Sequence, residues 1–235
     1  MQAQQIHWRV FPDLHELRQA ACNAILAGAN TAIAAHGKFT IALAGGSTPH
    51  DIYRLLRDAK TDWAKWHVVF GDERCLPPEH PERNSLMARE SLLDHVPIPR
   101  GQIHPIPAEL GAEKAARAYC ETLADMGEFD LVLLGMGEDA HTASLFPGHA
   151  WESAEFAAAI PVHNAPKPPP ERVSLSASRL SQARQVMFFI TGANKREAVT
   201  LWQSGADLPV AAICPMAGVD VYMDAAADPA TVEAN

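Results

Sequence analysis

The chain has no cysteines spaced for a metal or redox motif: Cys22, Cys75, Cys120 and Cys214 are far apart, and no C-x-x-C pair occurs. Four reduced, mostly buried thiols are the reading that remains. A surplus of positive charge is also missing. The formal net charge of −9 is spread along the chain, repels polyanions and argues against a nucleic-acid-binding surface. A small anion can still enter a local basic pocket. No stretch approaches the roughly 18 consecutive apolar residues needed to cross a bilayer, so no membrane partner is expected. The opening residues, MQAQQIHWRVFPD, contain neither a basic leader nor an apolar signal core, and the expected location is the cytoplasm. Internal repeats and low-complexity tracts are lacking too.

What is present is an ordinary globular composition, with 48% hydrophobic and 20% charged residues, which leaves little room for extensive disorder. A length of 235 residues supports a substantial core, and a single domain over 1–235 is expected. Apolar spacing predicts a helix over 13–36 that places Leu14, Leu17, Ala21, Ile25 and Ile33 near one face, with Gly37 as its stop. Strands are expected at 39–44, at WHVVFGD (66–72), at FDLVLLG (129–135), and at RVSLS, QVMFFITG and VDVYMD further on. Helices are expected from near Pro49, over 83–94 and 112–125, from near His141, and at KREAVTLWQ. This alternation implies a three-layer α/β fold, with a mainly parallel, Rossmann-like sheet and helices on both faces. The proline-rich NAPKPPPE at 164–171 is read as a surface loop rather than a linker.

In open parallel sheets ligands bind beyond the carboxyl ends of the strands. Three loops fall there. ALAGGSTPHDIY offers Gly45 and Gly46 for close backbone approach, hydroxyls from Ser47 and Thr48, and Pro49 in the first turn of a helix whose free N–H groups suit a phosphate. A tight turn capped by Ser or Thr is the alternative. It is neither a Walker loop, lacking G-K-[ST], nor the G-x-S-x-G elbow of a nucleophilic serine. The second loop, GDER, sets Asp72, Glu73 and Arg74 at one rim. Arg74 can grip a phosphate or sugar oxygen, and the carboxylates can accept hydroxyl protons or orient it; solvated loop charges are the plain alternative.

The third loop is GMGEDAHTASLF, 135–146. As a dinucleotide fingerprint its spacing fits, and Glu155 lies at a suitable distance, but Glu138 and Asp139 would repel a pyrophosphate. The other reading has Asp139 capping a helix and His141 in its first turn, uncharged near the positive end of the dipole and able to accept a proton. A hydrogen-bonded structural histidine is the alternative. Metal binding by Asp139, His141 and His149 is disfavoured, because their spacing matches no strong pattern. Arg172 after the proline-rich loop, and Lys195 at a helix start where a cation opposes the dipole, suit an anionic ligand or plain solvent exposure.

Taken together, LAGGSTP (43–49), GDER with HPERNS (80–85), FDLVLLGMGEDAHTASLFPGH (129–149), and ERVSLS with ITGANKREAV (171–199) resemble the 6-phosphogluconolactonase family, in the family's order and across nearly the whole chain. The resemblance implies hydrolysis of 6-phospho-D-glucono-1,5-lactone to 6-phosphogluconate in the oxidative pentose phosphate pathway, with a small sugar phosphate as partner and no metal or organic cofactor. It implies His141 as general base, with Asp139 and Arg74 beside it in the catalytic set. Gly45, Gly46, Ser47, Thr48, Asp72, Arg172 and Lys195 are implied to surround the substrate. The family commonly has Gly where this chain has Ala140, which matters if that position needs a positive φ. Related glucosamine-6-phosphate deaminases follow the histidine with an A-F-N-E-type run, whereas Ala143-Ser144-Leu145-Phe146-Pro147 holds no carboxylate. A non-catalytic sugar-phosphate sensor is a third class, and the oligomeric state stays open between monomer and homodimer.

Overall fold

The computed structural model describes residues 4–149 and 157–232. Seven strands form one parallel sheet. They are β1 (Ile6–Phe11), β2 (Phe39–Leu43), β3 (Trp66–Phe70), β5 (Ile103–His104), β6 (Phe129–Gly135), β9 (Ala183–Ile190) and β10 (Val219–Asp224), in the order β1-β10-β9-β6-β2-β3-β5. All five residues of β2 are buried, and so are the first six of β6, as expected of strands covered on both faces.

The order places the ligand crevice. After β2 the chain moves outward through β3 to β5, and after β6 it moves the other way through β9 to β10. The sheet therefore reverses its winding between β2 and β6, and the loops leaving those two strands diverge around a cleft. These are the glycine loop and the histidine loop.

Helix α1 (Leu14–His36) begins where the Asp13 side chain accepts the Glu16 N–H at 2.9 Å and ends at Gly37, whose φ of 83° is left-handed. Its buried face is Leu17, Ala21, Ile25, Ala29 and Ala32; Leu14 is exposed and Ile33 only half-buried. Helix α2 (Ser47–Leu56) starts two residues before Pro49, which sits in the first turn, where its missing N–H costs no intrahelical bond. Helix α3 (Asn84–Ala88) continues as a wider π turn to Leu93, so the expected 83–94 segment is helical but not uniformly α. Helices α4 (Ala112–Leu123), α5 (Ala177–Ser181) and α6 (Arg196–Gln203) complete the set.

Two expectations are corrected. WHVVFGD is not one strand, and RVSLS does not join the parallel sheet. Asp72–Arg74 form β4, which pairs antiparallel with β8 (Arg172–Leu175), and β8 pairs with β7 (Ala159–Val162) in a separate three-stranded sheet. Gly71 is the joint, because its N–H reaches Leu43 O in the large sheet at 3.0 Å and its carbonyl accepts from Leu175 at 2.8 Å in the small one.

A further correction, beyond those two strands, is the helix expected near His141. The segment runs through turns and an isolated bridge between Thr142 and Leu145. Ala140 and Ala143 have φ of 61° and 48°, and left-handed residues at both positions cannot belong to a right-handed helix. Asp139 therefore caps no helix, and His141 sits in a turn rather than in a helix of its own.

Candidate active site

A cavity of about 440 Å³ opens at the carboxyl ends of β2 and β6. Gly45, Gly46, Ser47, Thr48, Asp72, Arg74, His141, Arg172 and Lys195 all line it. Asp139 stands behind His141 rather than on the wall. The cavity also takes in Asn84, Lys167, Thr191 and Asn194, which the sequence reading did not single out.

The glycine loop is held from behind. A Cβ on Gly45 would lie 2.0 Å from Asn84 Oδ1, so only glycine leaves room for the Asn84 amide, which donates to the Asp72 backbone carbonyl at 3.1 Å and to Asp72 Oδ1 at 2.9 Å. Gly46 has φ of 106°, another position that favours glycine, and it turns the chain into the first turn of α2, where Ser47 is exposed and Thr48 and Pro49 are buried. Thr48 Oγ1 meets Thr191 Oγ1 at 3.0 Å, which ties this loop to the one after β9 that carries Lys195. Lys195 is half-buried and has no ion pair among the described residues; burial first, and the charge of Lys167 with it, lowers its pKa. Free N–H groups and a partly desolvated ammonium on linked loops are groups that suit an anion.

The histidine loop is built around a short contact. His141 Nδ1 lies 2.5 Å from Asp139 Oδ1, and Gly137 makes room for the pair. A Cβ on Gly137 would fall 2.0 Å from His141 Nδ1 and 2.4 Å from Asp139 Oδ1. The second glycine of G-M-G thus admits a histidine–carboxylate pair. Among the described residues no helix follows β6 to receive a pyrophosphate, and Glu155, the residue in the ribose position of that reading, lies outside them. The same contact engages the two groups that a metal site there would share.

Burial is the largest influence on His141 and lowers its pKa; Lys167 adds to that, while Asp139, through its hydrogen bond and charge, and Asp72 oppose it. Burial raises the Asp139 pKa, but the hydrogen bond and charge of His141, with Lys167 behind them, outweigh it and leave the carboxyl below its usual range. An ionised Asp139 accepts, so the ring proton sits on Nδ1 and the lone pair on Nε2. That nitrogen has no partner among the described residues, and the ring lines the cavity. It is the arrangement a general base requires.

The GDER carboxylates separate in role. Glu73 is fully buried and accepts from the backbone N–H groups of Arg74, Asn84 and Ser85, each at 2.8 Å, with the Arg83 guanidinium at 3.1 Å. Its acceptor capacity is spent on closing the start of α3; it holds Arg74 only at the backbone N–H and is not on the cavity wall. Asp72 reaches the cavity wall, and its Oδ2 accepts from Ser144 Oγ at 2.6 Å. Arg74 donates through Nη1 to the Glu82 carbonyl, and its buried Nε has no partner among the described residues. Arg172 is buried and spends most of its guanidinium on the proline-rich loop, donating to the carbonyls of Lys167, Pro168 and Pro169 at 2.9–3.1 Å.

Known proteins with this sequence and fold are informative here. The family model for glucosamine-6-phosphate isomerases/6-phosphogluconolactonase matches residues 12–222. A 6-phosphogluconolactonase of Nostoc sp. is 42% identical over 199 residues, covering 81% of this chain and 82% of that protein. The Mycobacterium leprae 6-phosphogluconolactonase is 37% identical over 223 residues, 89% of each chain. The solved 6-phosphogluconolactonase of Trypanosoma brucei superposes with a TM-score of 0.86 at 30% identity, covering 96% of this chain and 98% of the other.

Proposed function

The chain belongs to the glucosamine-6-phosphate isomerase/6-phosphogluconolactonase family, and from that premise we propose that it is an enzyme hydrolysing 6-phospho-D-glucono-1,5-lactone to 6-phosphogluconate, in the oxidative pentose phosphate pathway. The observation that carries this reading is a neutral His141, braced by Asp139, on the wall of a cavity whose other loops suit a phosphate. In this scheme the chain is one catalytic unit of the cytoplasm.

The phosphate rests on Gly45–Thr48 with Lys195 and, through the donor it keeps free, Arg172. Binding energy spent on this distant group fixes the lactone carbonyl near His141. Nε2 takes a proton from water while the water oxygen attacks C1, and the carbonyl electron pair moves onto its oxygen. Asp139 stabilises the imidazolium that forms. As the tetrahedral intermediate collapses, the C1–ring oxygen bond breaks and His141 returns its proton to the departing oxygen. Arg74 stands at the same cavity, where its guanidinium serves the developing negative charge. The carboxylic acid product then loses its proton to solvent, and every step uses only side chains and water.

The deaminase reading draws no support from this loop, where Ala143–Pro147 supplies no carboxylate. One assay separates the readings. Fresh 6-phosphogluconolactone and glucosamine 6-phosphate are supplied separately, and acid and ammonia release are followed with spontaneous lactone hydrolysis subtracted. Rapid acid release from the lactone alone is expected. Ammonia release would make the protein a deaminase, and neither product would leave a binding protein.

A further inference from the structure

Resting on the lactonase reading, we infer that Lys167, carried on the proline-rich loop, is a further substrate-contacting residue that hydrogen-bonds the oxygen on which negative charge develops at the lactone carbonyl, and that Arg172 positions it by clamping its loop. The loop at 164–171 is too tightly held for a mere connector. Arg172 Nη2 donates to the carbonyls of Lys167 at 2.9 Å and Pro168 at 3.0 Å, and its Nε donates to that of Pro169 at 3.1 Å. The Ala165 N–H closes the loop on Pro170 O at 2.9 Å, and His163 Nδ1 meets Glu171 Oε2 at 2.6 Å across its base. Consecutive prolines restrict the remaining freedom. A buried guanidinium committed to three carbonyls of an otherwise exposed loop indicates that the loop must hold its place.

Lys167 is what that place presents to the cavity. Its Nζ lies 3.9 Å from Asp139 Oδ1, the atom that His141 Nδ1 touches, so this ammonium stands beside the base. Lys195 is linked instead to the glycine loop, through the Thr191–Thr48 contact. Lys167 thus stands at the histidine side of the shared cavity, near enough to Lys195 for its charge to lower that lysine's pKa as well. The charged groups bearing on the His141 ring are Asp139 from its own loop, Lys167 from the proline-rich loop and Asp72 from β4. Lys167 is the cation among them. As water adds to C1, the carbonyl π pair becomes an oxyanion that accepts from Nζ–H without taking its proton, and on collapse the pair returns and the lysine is unchanged.

The test uses Lys167→Met, which keeps the stem and removes the charge, beside Lys167→Arg and His141→Ala, on 6-phosphogluconolactone. Lys167→Met is expected to lower kcat about 100- to 1,000-fold, the usual cost of one oxyanion donor. KM should stay within a few-fold, and thermal unfolding should be unchanged because the side chain is about half exposed (46%). The acid limb of its pH profile should move upward, since a positive charge beside His141 is gone. Lys167→Arg should recover part of the loss. An unchanged kcat, an increase in KM alone, or an acid limb that stays put would overturn the inference, and an increase in KM alone would make Lys167 a phosphate ligand. If His141→Ala is inactive while Lys167→Met is not, only this inference falls. A wild-type protein that does not exceed spontaneous hydrolysis removes the lactonase reading and the inference with it.

Discussion

Opposing forces set the charge on His141. Burial and Lys167 favour the neutral ring, and Asp139 and Asp72 favour the protonated one, with burial the largest. The pKa therefore lies below the ordinary histidine value of about 6.5, and kcat/KM should fall as pH drops through that lowered value, because protonation removes the base. Asp139→Asn removes a hydrogen bond and a charge that hold the proton on, so the acid limb should move further down. Turnover should fall about 100-fold or more, since an amide no longer fixes the tautomer. A pH–rate profile checks both, and an upward shift would contradict the roles given to the pair. At this scale much of the site was legible. The histidine after G-x-G-x-D, the G-G-S-T turn, and Arg172 and Lys195 at the starts of elements were singled out in sequence beside plainer readings, and one cavity gathers them. Lys167 was not legible, because a lysine among prolines reads as a solvated loop until Arg172 is seen holding that loop from beneath.

The histidine loop is strapped to its neighbours rather than built into an element. Thr142 Oγ1 donates to Gly135 O at 2.9 Å, Ser144 Oγ to Asp72 Oδ2 at 2.6 Å, and the Ser144 N–H to Ser174 Oγ at 3.2 Å, joining β6, β4 and β8. Ser144→Ala leaves a buried carboxylate oxygen without that donor. It should cost about 1–3 kcal/mol in denaturant unfolding and lower kcat as the loop loosens. Unchanged stability would show that the strap carries no weight. Strands buried on both faces, such as FTIAL and FDLVLLG, were plain in sequence. The small sheet was not, since β4 has three residues and β7, AIPV, contains a proline. Edge strand β1 alternates only weakly between half-buried and exposed positions, so its sequence gave little sign of a strand. The helix expected at His141 failed because D-A-H-T-A-S-L has no breaker residue, while the left-handed turns at Ala140 and Ala143 come from tertiary contacts.

Over the whole molecule, a net charge of −9 surrounds a cavity that holds Arg74, Lys167, Arg172 and Lys195 against the carboxylate of Asp72. Such a local basic site in an acidic protein focuses a phosphorylated ligand on one mouth. Screening at about 0.5 M salt, where the Debye length falls to a few ångströms, should lower kcat/KM several-fold through KM and leave kcat nearly constant. Steady-state kinetics across ionic strength checks this, and a kcat that falls with salt would place the electrostatic effect on chemistry instead. The winding reversal between β2 and β6, which sets where the cavity opens, followed from strand order and was legible only as the general rule for parallel sheets. The most direct measurement is the turnover of His141→Ala on fresh 6-phosphogluconolactone, with spontaneous hydrolysis subtracted. A fall of about 100- to 10,000-fold with KM little changed is predicted for loss of a general base, and turnover close to that of the unaltered enzyme would contradict the account.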